Sequence, residues 1–352
     1  MEHLKFKDAS DAKDLSIEQF GIELEELWPD FKNIPILFIW QSVIGHTSRL
    51  CEEVRRSRWD RITFEIAEVF LWWLIFIQRL KFEHEKNENL KKSYKIKDLD
   101  IEGYALKNSA SRILWNKYPG VCPQCFHRYL VNFFKVKIND IKAGTLILDS
   151  DQKLTKFNNH ILKKSGKNNY PVCSCLAFKK EVEDRDNKNF LRVNISVYAK
   201  KFYSERPRDL LAYNRMFDTI FENNTILSSI SDITFHLLEE VGEVGEALNN
   251  IYILRKTNRF IEEKKINAIY QLEEELADVF SWLTALLMKI DIYLNCGYEF
   301  SKSQIDHSND KEHLRIALSQ VKEFQEPTSN LPELIWTTHK RGDQLSWDVQ
   351  QL

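Results

Sequence analysis

The sequence predicts a mainly α-helical protein built on a duplicated helical hairpin, with a small cysteine-rich insert between the copies. Three observations predict it. Apolar residues recur at spacings of three and four over long stretches that only eight prolines and ten glycines punctuate. A hairpin-length pattern of acids and apolar residues occurs twice. The segment between the two occurrences instead holds turn residues, β-branched runs and paired cysteines.

With 352 residues and 43% hydrophobic content, the chain is long enough to bury a substantial core. Lys+Arg 50 against Asp+Glu 52 leaves a formal charge of -2, so no overall basic field draws it to nucleic acid or acidic lipid. A small-molecule partner is expected. The first residues, "MEHLKFKDASDAKDLS", alternate in charge and lack the apolar stretch of a secretory signal. A cytoplasmic location is the corresponding expectation.

Residues 1–100 read as helical and end in the solvated run "KFEHEKNENLKKSYK". Within them, "VFLWWLIFI" at 69–77 is about half the roughly 20 residues a membrane span needs, so it reads as a buried helix. No membrane partner is expected.

Residues 101–204 form the insert. "DIKAGTLILDSDQK" and "FLRVNISVYAKKF" suggest loops and a few short strands. "CPQC" supplies Cys122 and Cys125, and "CSC" supplies Cys173 and Cys175. Thiolates with a two-residue gap between them reach one tetrahedral ion, and a second pair closes a four-sulfur site, so structural Zn²⁺ is expected there. His127 is an alternative ligand, and free thiols or a redox pair are the competing reading. Cys51 and Cys296 fall within helical patterns as buried, inert thiols.

Residues 205–352 return to helix, with a break expected near Pro327 and Pro332. In "LEEELADVFSWLTALLMKI" one stripe collects Leu272, Leu276, Val279, Phe280, Leu283, Leu286 and Leu287. This stretch repeats an earlier one. Glu65, Ala67, Val69, Phe70 and Trp72 match Glu275, Ala277, Val279, Phe280 and Trp282 without a gap, and upstream "CEEV" ending at Val54 matches "LEEV" ending at Val241. The connection between the matched halves is about two dozen residues longer in the second copy.

The second copy concentrates carboxylates. Glu239, Glu240, Glu243 and Glu246 fall within eight residues, and helical spacing puts Glu240 beside Glu243 as it puts Glu275 beside Asp278. If the two helices pair antiparallel, the two couples converge, and their repulsion calls for a cation. Oxygen ligands favour Mg²⁺, or Mn²⁺, over zinc, with positions left for water and phosphate. A flanking acid, Glu239 or Glu246, is placed to orient an attacking water. Gly242 and Gly245 each cost about 1 kcal/mol relative to alanine inside a helix, which suggests a close approach by a helix or a nucleotide. The competing reading of the run is a solvated acidic face.

"EEVGE" at 239–243 followed by "ELAD" at 275–278 resembles the marks of the MazG-like all-α nucleoside triphosphate pyrophosphohydrolases, E-E-x-x-E on one helix and E-x-x-D on the next. "MKIDIYL" at 288–294 is similar to the family segment ending in "GID", with Lys289 at a position where glycine is commoner. The resemblance covers about 230–295. It implies a helical bundle in which the two hairpins pair as a built-in pseudo-dimer. It further implies Mg²⁺ held by Glu240, Glu243, Glu275 and Asp278, and cleavage of a nucleoside triphosphate to monophosphate and pyrophosphate.

In the first copy Glu53, Glu65 and Glu68 match three of the acids, while Arg56 stands where Glu243 stands in the second. A guanidinium among three carboxylates substitutes for a metal, so a degenerate site is expected, with Arg56 serving the fold or reaching substrate phosphate. The connection "ILRKTNRFIEEKKIN" offers further phosphate ligands, Lys256 and Arg259 among them. Trp282 and Phe235 either stack on a base or lie in the core. His46 and His236 lie near the acidic helices as supporting donors or as ordinary core or surface histidines.

No glycine-rich phosphate loop and no Ser-His-Asp order occurs. A metal-dependent nucleotide hydrolase is therefore the leading expectation. The alternatives are a nucleotide-sensing or protein-binding module without turnover and, less favoured, a nucleic-acid adaptor using the insert. A homo-oligomer is compatible with either.

Overall fold

The computed structural model describes residues 15–27, 29–94, 106–120, 199–200, 202–256 and 262–296. These residues form seven α-helices: α1 (Ile17–Leu27), α2 (Ile36–Arg55), α3 (Trp59–Tyr94), α4 (Ala110–Lys117), α5 (Leu210–Leu227), α6 (Ile230–Lys256) and α7 (Glu262–Cys296). Two short 3₁₀ turns join them, and no strand occurs among the described residues. The cysteines of the insert, its suggested strands, Arg259 and the break near Pro327 lie outside the described residues.

Local signals fix where the helices begin. Ser16 and Gln19 form a reciprocal cap ahead of α1, each backbone N–H donating to the other's side-chain oxygen at 2.9 and 3.1 Å. Ser229 and Asp232 do the same ahead of α6 at 3.2 and 3.0 Å. That cap sets the register in which Glu240 and Glu243 later project. No proline interrupts either helix of the second copy.

α2 with α3 and α6 with α7 form two hairpins, which pack on each other through α2 against α6 and α3 against α7. α5 and α4 cover α7. The apolar run Val69–Ile77 is buried throughout, as is the whole α7 stripe from Leu272 to Leu287. No helix among the described residues is long and apolar enough to cross a membrane. Trp73 donates its indole N–H to the Leu276 carbonyl at 3.0 Å and packs on Phe280, with ring centres 5.3 Å apart. Phe70 and Phe280 occupy matching places in the repeat, and their rings meet edge to face at 6.1 Å.

The longer connection of the second copy is mostly helix. α6 continues from Glu240 to Lys256 and α7 starts at Glu262, whereas α2 stops at Arg55, two residues after Glu53. The matched acids therefore sit near the tip of the first hairpin and midway along the second. α4, within the stretch read as insert, belongs to the helical body: Ala110, Ile113, Leu114 and Trp115 are buried, and Trp115 donates to the Ala199 carbonyl at 2.9 Å.

Candidate metal centre

α6 presents Glu240 and Glu243, α7 presents Glu275, and one oxygen from each lies within 4.8 Å of the others. Among the described residues this is the one group of acids, histidines or cysteines gathered closely enough to share an ion. Asp278 does not join the three. Lys117, the last residue of α4, places its ammonium 3.2 Å from Asp278 Oδ2 and 3.5 Å from Glu274 Oε1. The Tyr118 hydroxyl donates to Oδ1 of the same carboxylate.

The surroundings raise the acids' affinity for protons. Burial, then the charges of Asp278 and Glu243, push Glu240 up to about 8, against a partial lowering by the Trp282 N–H. Burial and Asp278 push Glu275 up to about 7. Burial also raises Asp278, although Lys117 and Tyr118 act in the opposite direction. For Lys117, burial works against the charged form, but Asp278 and Glu274 outweigh it and the ammonium is held above its usual range. A cluster of this kind at neutral pH keeps a proton or takes a cation.

Aromatic residues support the same acids. Trp282 donates its indole N–H to Glu240 Oε1 at 3.1 Å. His236 stacks on Trp282, with centroids 4.5 Å apart and planes at 15°, and its Nδ1 lies 3.1 Å from Glu239 Oε2. Tyr118 is packed against Phe217 and Phe221 at 5.1 and 5.5 Å. Trp282 is thus at the site, whereas Phe235 is 66% exposed on the outer face of α6 and is not core. Glu246 is exposed one turn beyond Glu243.

Three expectations need correction. Arg56 does not lie among the first copy's acids. It is the cap of α2, half exposed, and pairs with Glu52 at 2.5 Å. Counting i+3 from Glu53 fails because α2 has already ended; the chain turns at Ser57 with φ 53° and brings Arg58 back onto Glu53 at 2.5 Å. His46, buried, faces Glu65 at 2.8 Å and Glu68 at 3.6 Å, and Arg49 lies 3.5 Å from Glu65. Guanidinium groups do face these acids, but they belong to Arg58 and Arg49 and not to Arg56.

Second, among its described residues the basic connection runs away from the acids along the helices. Lys256 ends α6 thirteen residues after Glu243, and at 1.5 Å per residue that is about 20 Å along the helix. Third, neither glycine is forced by a close neighbour: a Cβ at Gly242 meets nothing within 4 Å, and one at Gly245 comes no nearer than 3.8 Å, to Trp40.

No sequence signal points to Lys117 and Tyr118. They lie about 160 positions from Asp278, and no periodicity links contacts that distant. Cys51 is a free thiol pushed up by burial, but it is only partly buried where the helical pattern predicts a buried one. In comparisons with known proteins, no family model, no curated protein and no solved structure matches this chain.

Proposed function

We propose that this chain is a Mg²⁺-dependent nucleotide pyrophosphohydrolase of the MazG-like all-α type, converting a nucleoside triphosphate and water to the monophosphate and pyrophosphate. The observation that carries this reading is the convergence of Glu240, Glu243 and Glu275 from two paired helices to within 4.8 Å. The edge-to-face contact of Phe70 with Phe280 supports it, because matching residues touch where a two-fold pair has its axis.

Glu240, Glu243 and Glu275 would hold Mg²⁺, or Mn²⁺, which prefer such hard oxygens. When bound, the ion supplies charge neutralisation on the phosphates and a more acidic water for in-line attack on phosphorus. The chain's own groups orient the parts. Trp282 fixes the Glu240 carboxylate, and His236 backs Trp282. Glu239 is engaged with that imidazole, so the water-orienting role falls to exposed Glu246 in this reading.

The test is a panel of NTPs and dNTPs incubated with the purified protein, with and without Mg²⁺. Pyrophosphate release should require the ion and fall about 100-fold or more in Glu240→Gln and in Glu243→Gln, the scale of losing several kcal/mol of metal-derived stabilisation. Turnover that persists in chelator, or in both variants, rejects the reading. One observation favours a nucleotide-sensing module instead: both oxygens of Asp278 already carry donors. Calorimetry showing Mg²⁺-dependent nucleotide binding without any pyrophosphate release would establish that alternative.

A further inference from the structure

The geometry points to Lys117 as a resident cation that sets the ion count of the centre. Its ammonium, with the Tyr118 hydroxyl, keeps Asp278 out of the ligand set, so the three glutamates take one divalent ion where four free carboxylates would take two. This rests on the reading of Glu240, Glu243 and Glu275 as an ion-binding set, but it makes a separate claim about a residue from outside the hairpin.

Lys117 is placed by packing rather than by chance reach. α4 is anchored through buried Ile113, Leu114 and Trp115, and the Tyr118 N–H closes the helix on the Leu114 carbonyl at 2.8 Å. Ahead of α4, Asn108 donates to both oxygens of Glu273 at 2.8 and 2.9 Å, so the segment is fastened to α7 before the helix as well as at its end. The side chains of Lys117 and Asp278 are only 22% and 16% exposed, which limits solvent screening of the pair. One donor meets each Asp278 oxygen, Lys117 at Oδ2 and Tyr118 at Oδ1.

Ligand supply then decides the stoichiometry. With Lys117 and Tyr118 on its two oxygens Asp278 has none left for an ion, and the three glutamates supply one ligand set. Without the ammonium, which also faces Glu274, one more negative charge is left uncompensated and Asp278 is freed as the carboxylate a second ion needs. Two-ion centres place their metals about 3.5–4 Å apart and bridge them with such shared oxygens. In the first copy the corresponding acid, Glu68, faces His46 at 3.6 Å.

Mn²⁺ titration of the full-length protein without nucleotide, followed by equilibrium binding and electron paramagnetic resonance, tests this directly. Wild type and Lys117→Arg should bind one ion with the six-line signal of an isolated Mn²⁺. Lys117→Met should bind two, with the broadened signal of a coupled pair. Asp278→Asn removes the acid instead of the cation and should still bind one ion within about threefold of wild-type affinity, the range expected when no direct ligand is lost. One ion in Lys117→Met, two in wild type, or loss of binding in Asp278→Asn each overturns the proposal while leaving the three-glutamate centre standing. No ion in wild type removes that centre as well. If Lys117→Met does not fold, as judged by circular dichroism, Asp278→Asn alone decides.

Discussion

The two hairpins carry matching acids and treat them in opposite ways. In the first, Glu65 and Glu68 are buried and faced by His46, Arg49 adds a guanidinium to Glu65, and Arg58 closes on Glu53. In the second, Glu240, Glu243 and Glu275 face one another, and two of them are pushed to about 8 and about 7. The matched tryptophans differ accordingly. Trp282 donates to Glu240, while the Trp72 indole N–H has no hydrogen-bond partner among the described residues. A carboxylate pattern alone therefore does not define an ion site; what the neighbouring side chains already neutralise does.

The largest test applies one substitution at matched positions. Glu65→Gln removes a buried carboxylate that His46 meets at 2.8 Å and Arg49 at 3.5 Å, so unfolding free energy should fall by about 1–3 kcal/mol, the scale of losing a hydrogen bond to a charged group. Glu275→Gln in chelator removes one of several mutually repelling charges and should raise stability. Urea denaturation of both variants measures the two signs. Shifts in the same direction would end the contrast between the hairpins.

How much of this contrast the sequence reveals follows from the range of each interaction. Helical period and i, i+3 spacing are local, so the helices, the α7 stripe and the side-by-side placing of Glu240 and Glu243 are legible from residue order. The approach of Glu275 follows only once α6 and α7 pair, and the sequence expects Asp278 to come with it. The neutralising cations are not legible. Arg58 reaches Glu53 only because α2 ends where it does and Ser57 takes a positive φ, and counting along an unbroken helix selects Arg56 instead. Lys117 meets Asp278 across the fold. The connection 253–267 is rich in lysine, arginine and glutamate, which are good helix formers, and its described residues 253–256 and 262–267 continue α6 and α7.

A second test sharpens the comparison through pH. Glu240 titrates near 8 in the folded protein against 4.5 for an ordinary glutamate, so the fold binds that proton more tightly than the unfolded chain does. The resulting stabilisation is complete below about 4.5 and is lost as pH rises through about 8. In chelator the melting temperature should fall across that window, with Glu275 contributing up to about 7. Saturating Mg²⁺ should remove most of the fall. The part due to Glu273, also raised to about 7 by burial but bonded to Asn108 away from the three glutamates, should remain. Melting curves at several pH values, with and without Mg²⁺, check this. A fall that Mg²⁺ leaves untouched would mean the three glutamates do not share an ion.

The smallest expected effect concerns the glycines, which only the second hairpin carries among its acids. A methyl group at Gly242 meets open space, so Gly242→Ala should stabilise the protein by about 1 kcal/mol through helix propensity alone. Retaining so unfavourable a residue beside Glu243 has a physical purpose only if a ligand comes close to this backbone. Steady-state kinetics of Gly242→Ala should then show a raised KM for nucleotide, with Mg²⁺ affinity unchanged because no carboxylate moves. An alanine variant that is more stable and has an unaltered KM would remove the close approach from the account. The glycine would then be a cost that α6 carries for no reason the site supplies.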